Sequence, residues 1–162
     1  MHIWKRIRGL SIQQLFQLGI LLLKNPLKII PTLQATKRTF AICNQLFAAK
    51  HNAANQANAF RHALWNALLC KKVHKLTHNK QKSVFWAQKV TDLYEKVTQN
   101  DTLDKAMDLH NNSCGRIYFF NNLSVNEQEL VDFIQKKAKK AKKIAISEEI
   151  IDTPTQLVYL HD

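Results

Sequence analysis

Glycine and proline are scarce in this chain, with three of each among 162 residues. That is too few for the many tight turns of a sheet protein. Long stretches rich in Ala, Leu, Lys, Gln and Asn instead place apolar residues three and four apart. The expected fold is all-α, a compact bundle of about five or six helices around a buried central helix with a short extended C-terminal tail. The length suits one domain, residues 1–162, with enough chain to bury a core without disulfide or metal staples.

Cysteine is sparse as well. Cys43, Cys70 and Cys114 are odd in number and widely spaced, which fits neither a disulfide framework nor a four-ligand zinc site and points to a reducing compartment. Acid is missing from the first half altogether. Residues 1–91 hold fifteen Lys and Arg and no Asp or Glu, so the parts before and after Asp92 carry +15 and −3. Such asymmetry points to an anionic partner, a membrane surface or nucleic acid. It also means that any carboxylate neutralising a buried basic group of the first half must come from beyond residue 91.

A long uninterrupted apolar run is lacking too. MHIWKRIRGLSIQQLFQLGILLLK has the basic head and apolar body of a signal peptide, but Gln13, Gln14 and Gln17 interrupt it. No small-residue cleavage site precedes Lys24 and Pro26, and the run is too short to span a bilayer. Residues 1–31 therefore read as a retained amphipathic basic segment of a cytoplasmic protein, suited to the inner face of the membrane. Trp4, Leu10, Leu15, Phe16, Leu18 and Leu22 supply apolar area flanked by Lys5, Arg6, Arg8, Lys24 and Lys28. The same leucines equally suit packing on a core.

Along the chain, the pattern predicts a helix over 11–24, a break at Pro26 and Pro31, and a second helix over 32–50. The loose stretch HNAANQAN leads into a central helix ending near His78. Ser83 opens a helix to about Gln99, and Asp101 caps one through Phe120 with Gly115 near its end. The run Ser124, Val125, Asn126, Glu127 has the capping-box pattern and starts a last helix that continues into KKAKKAKK. The remaining tail suits a short strand or an extended segment over the core.

The central helix is apolar nearly all round, which marks it as buried, yet Asn55, Asn58, His62 and Asn66 form one polar stripe along it. Buried amides and imidazoles need partners or cost about 1–3 kcal/mol each. The natural partner is KAMDLHNNSCGR, where Asp104, Asp108, Asn111, Asn112 and Gly115 share one helix face and His110 lies on the other with Cys114. Arg61 has no acid in its own half, so Asp104 or Asp108 is its expected counter-ion. His74 and His78 stand one turn apart, but Lys75 replaces the Glu a zincin would need, and they read as helix-end decoration. His110 with Cys114 reads as a core pair rather than a thiolate site.

NAFRHALWNAL, Asn58 to Leu68, followed by MDLHNNSCGR, Met107 to Arg116, resembles an uncharacterised bacterial helical domain family with an AFRHAxWNA motif and a downstream DLHNNxxGR motif. The resemblance covers residues 50–120 and implies a site rather than a reaction. By it the motif residues are Arg61, His62, Trp65, Asn66, Asp108, His110, Asn111, Asn112, Gly115 and Arg116. Prokaryotic phospholipase A2 enzymes are similar in setting an Arg-His pair against a later Asp. Here Ala63 stands where their calcium-binding Asp would be.

Such a set supports two classes of function. In the first, a small hydrolase of effector or toxin type acts on an anionic substrate such as phospholipid or nucleic acid. His62 is its base, Asp108 orients His62, and His110 is a second base or metal ligand. Asn58, Arg61, Asn66, Asn111, Asn112 and Arg116 hold the substrate, and a zinc or calcium ion is compatible with the donors. In the second, a non-enzymatic module docks on membrane or nucleic acid through its basic surface, and the same polar residues form a structural network. An enzyme needs the motifs to line an open, wet cleft, whereas a docking module can bury them.

Overall fold

The computed structural model describes residues 12–98 and 101–161. Among them are six α-helices and almost no strand, the all-α bundle expected. They are α1 (Ile12–Leu23), α2 (Ile29–Phe47), α3 (Gln56–Thr77), α4 (Lys80–Val97), α5 (Thr102–Asn121) and α6 (Glu127–Lys139). Trp4, Lys5, Arg6, Arg8, Leu10 and Ser11, the expected start of the first helix, lie outside the described residues, as does Gln99.

Helix α3 is the axis. It runs from an Asn55 cap, whose side chain accepts from the Asn58 N–H, to a left-handed His78 that ends it. Fifteen of its 22 residues are buried, because α2, α4, α5 and α6 all pack around it. Helix α2 presents Thr32, Ala35, Thr39, Ile42 and Cys43 at helical spacing. The indoles reach two of its hydroxyls: Trp86 Nε1 donates to Thr32 at 3.0 Å and Trp65 Nε1 to Thr36 at 3.0 Å. Trp86, Phe60, Phe119, Leu64 and Leu68 fill the centre, each contributing about 1.5–3 kcal/mol by burial.

The tightest approach is between α3 and α5. A Cβ at Gly115 would lie 2.1 Å from the Ala63 carbonyl oxygen, so glycine is required there by backbone contact rather than by a helix end. The helix continues six residues beyond it.

Several boundaries differ from the expectation. Pro31 sits inside the first turn of α2, where its missing N–H costs no intrahelical bond, so that helix starts at Ile29. Helix α4 begins at Lys80 because Asn79, not Ser83, caps it. Asn126 caps α6 in a capping box with Glu129, displacing the box from Ser124. That helix stops at Lys139, and Lys142–Lys143 (β1) pairs in parallel with Val158–Tyr159 (β2). The tail thus holds the short strand expected, reached through a 3-10 turn over Ser147–Ile150 rather than an extended run. Its end folds over α5 and reaches the turn before α3, where the Leu160 N–H donates to the Ala54 carbonyl at 2.8 Å.

Candidate functional site

Helices α3, α4 and α5 converge on His62. One turn apart on α3, His62 and Asn66 point at α5, where Asp108 and Asn112 stand one turn apart in the matching register. Helix α4 adds Thr91 and Glu95 with the same spacing. His62 Nε2 is 3.1 Å from Asp108 Oδ1, and Nδ1 is 3.4 Å from Glu95 Oε1 and 3.2 Å from Asn112 Oδ1. One imidazole thus lies between two carboxylates.

Each ring nitrogen faces a carboxylate oxygen, and the Arg61 guanidinium also approaches Nε2 at 2.7 Å. Asn112 is the hub, donating through Nδ2 to Glu95 at 3.1 Å and accepting from Asn66 Nδ2 at 2.6 Å. Asn66 Oδ1 in turn accepts from Arg116 at 3.0 Å and Thr91 at 3.2 Å. Arg61 also donates to the His51 carbonyl at 2.7 Å, which ties it to the turn Lys50–Asn52. Two arginines, Arg61 and Arg116, accompany the two carboxylates in the cluster, which makes the buried charges tolerable.

Burial pushes the Glu95 carboxyl upward. The His62 hydrogen bond and charge, the Asn112 donor and the Arg61 charge outweigh that effect and hold it below the usual carboxylate range. One of its oxygens, Oε2, is buried without a hydrogen-bond partner among the described residues. Arg116 is lowered by burial against an upward pull from Asp92.

The structure brings Arg61, His62, Asn66, Asp108, Asn112 and Arg116 together and leaves three candidates out. Asn58 is buried one turn before His62, with its Oδ1 unpartnered among the described residues. His110 points to the opposite side of α5 and meets the Gln156 carbonyl at 2.8 Å, because residues two apart on a helix diverge; it is no second base for His62. Asn111 turns to the tail, donating to the Val158 carbonyl at 2.9 Å and accepting the Val158 N–H at 3.0 Å. Cys114 lies 3.4 Å from His110, but burial pushes its thiol up to about 12, against any thiolate role.

Glu95, Thr91 and His51 were not singled out from the sequence. The missing signal was partly available: Ala87, Thr91 and Glu95 recur every four residues on the face of α4 that holds the core.

Each member of the cluster is almost wholly withdrawn from solvent, His62 and Asp108 2% exposed and Asn66 and Asn112 not at all. His62, Glu95 and Asp108 offer ligand atoms within 4.8 Å of one another and could hold a metal ion by donor type. The arrangement fits less well, since the carboxylates face opposite ring nitrogens and Arg61 fills the space beside Nε2.

Away from the cluster, apolar side chains of the first segment divide. Leu21 and Leu22 pack on the core, while Leu23, Leu27, Ile30 and Leu33 stay 74%, 77%, 65% and 58% exposed beside Lys24 and Lys28. No helix among the described residues is long and apolar enough to cross a membrane.

The family model for a domain of unknown function, DUF6973, matches residues 19–142, a span wider on both sides than the two motifs. No curated protein and no solved structure matches the chain.

Proposed function

The chain belongs to the DUF6973 family, a domain of unknown function, and on its geometry we propose that it is a helical module that docks on anionic membrane surfaces. The observation that carries this reading is the exposed strip Leu23, Leu27, Ile30 and Leu33, flanked by Lys24, Lys28 and Lys37, in a segment without a single acid. Four large apolar side chains left in water together mark an interaction surface. An interfacial anchor combines such area with lysines, each adding about 1 kcal/mol near an anionic leaflet. Nucleic acid would use the lysines and leave the leucines idle. In this reading the His62 cluster braces three helices from within, which agrees with its burial.

Flotation with anionic and neutral vesicles at physiological salt tests the proposal. The full chain should rise with anionic vesicles, and Leu27→Ser with Ile30→Ser should abolish recovery without loss of helix content. Unchanged recovery of that variant refutes the reading, and retention on nucleic acid alone would replace it.

A hydrolase reading keeps one supporting observation, the imidazole set between Asp108 and Glu95, an arrangement suited to a general base with its orienting acid. It requires the Lys50–Asn52 turn to lift from Arg61 and admit an anionic substrate, phospholipid or nucleic acid. Hydrolysis by the wild type that disappears in a folded His62→Gln variant would establish it. Unaltered hydrolysis in that variant, or none in the wild type, removes it.

A further inference from the structure

The exposed strip adjoins a second feature on α4. Lys82, Phe85, Trp86 and Lys89 recur three and four residues apart and form one stripe of that helix. Helix α1 packs on α4, and the Lys28 ammonium, from the turn after α1, lies 4.6 Å from the Trp86 ring centre. Lys89 lies 4.5 Å over the neighbouring Phe85 ring, which is 59% exposed. Burial lowers the Lys28 pKa, and the charges of Lys89 and then Lys82 lower it further, so Lys28 lies within reach of both ammoniums. Lys28 donates to Asn25 Oδ1 at 3.2 Å, and among the described residues none of the three makes an ion pair. Asp92, one turn beyond Lys89, exerts its pull on Arg116 of α5. Helix α5 offers Phe120 here, with Lys80 5.3 Å above its ring, and Gln81, Val84 and Gln88 complete a shallow groove between the two phenylalanines.

We propose that Lys28, Lys82 and Lys89 form a seat for the phosphomonoester headgroup of an anionic lipid, with Phe85 entering the interface beside it. This deepens the membrane-docking reading and rests on it for the orientation of the face. Three ammoniums along one stripe without a carboxylate suit a group that brings about 1.5–2 negative charges and three acceptor oxygens. A phosphodiester headgroup brings one charge and satisfies the cluster less well. Ring stacking holds Lys28 and Lys89 in place while leaving their charge open to a ligand.

The test uses the full chain with two probes. Vesicles of phosphatidylcholine with phosphatidic acid, or with phosphatidylglycerol at equal surface charge, measure selectivity by flotation. Water-soluble short-chain phosphatidic acid, with inorganic phosphate as the comparison, measures the seat by calorimetry. The wild type should favour phosphatidic acid vesicles roughly tenfold. The triple variant Lys28→Gln, Lys82→Gln, Lys89→Gln should lose that preference, retain helix content and keep weak binding to both vesicles. Flotation of the wild type on both vesicle types to the same extent, an unchanged preference in the triple variant, or inorganic phosphate binding as tightly as the short-chain lipid overturns the seat. Binding of short-chain lipid without flotation on either vesicle leaves the seat standing and removes the docking reading.

Discussion

At the scale of single residues, the His62 cluster shows how charge asymmetry in a sequence becomes geometry. The absence of acid before Asp92 requires imported carboxylates, and His62 receives Glu95 and Asp108 from beyond it. Glu95→Gln should destabilise the fold by about 3–5 kcal/mol in urea titration, because Arg61 and His62 then lose a buried anion. The pH dependence has a definite sign. Glu95 is held below its unfolded value, so its stabilisation is full above the usual carboxylate range and is lost as pH falls through the lower folded value. The variant should lose that part of the acid-induced destabilisation; an identical acid limb in both proteins would contradict the assignment. His62, Asp108, Asn66 and Asn112 were legible in the sequence because their spacings put them on facing helix stripes. Glu95 was not, since a glutamate between Tyr94 and Lys96 near a helix end reads as solvated, and only the packing of α4 turns it inward.

Helix existence was legible from periodicity, whereas helix ends depended on which of several capping residues won. Asn79 and Asn126 displaced Ser83 and Ser124, a competition among good caps that sequence pattern does not rank. Gly115 reads from the sequence as a motif residue near a helix end, and the structure gives its reason: it is the crossing point of α3 and α5. Gly115→Ala should therefore lower stability by about 1–3 kcal/mol or more by thermal melting, despite the better helix propensity of alanine. Adding Ala63→Gly should give no rescue, because the collision is with the Ala63 backbone; full recovery in the double variant would refute the crossing geometry.

For the whole molecule, the two halves are electrostatically incomplete alone. A fragment of residues 1–91 keeps Arg61 and His62 but lacks Glu95, Asp108 and Asn112, so it should remain largely unfolded by circular dichroism. Adding the remainder in trans should restore helix content. A cooperative melt of the fragment by itself would show that the polar cluster is dispensable for folding. Solution binding should divide in the same way. Affinity for anionic vesicles should fall steeply with salt while the exposed leucines set a salt-independent remainder.

Asn111 holds the tail in a manner with its own consequence. Its side-chain amide offers the Val158 peptide unit one acceptor and one donor, the same pair that a neighbouring strand would present. A clasp of this kind reads the main chain and is blind to side-chain identity. Val158→Thr should leave the bonds to Asn111 intact, whereas Val158→Pro removes the N–H and should open the tail to protease. Two separate constraints therefore meet at one position beside the motif helix: the clasp fixes the main chain, and the burial of Val158 among Met107, Ile144 and Leu160 fixes the side chain.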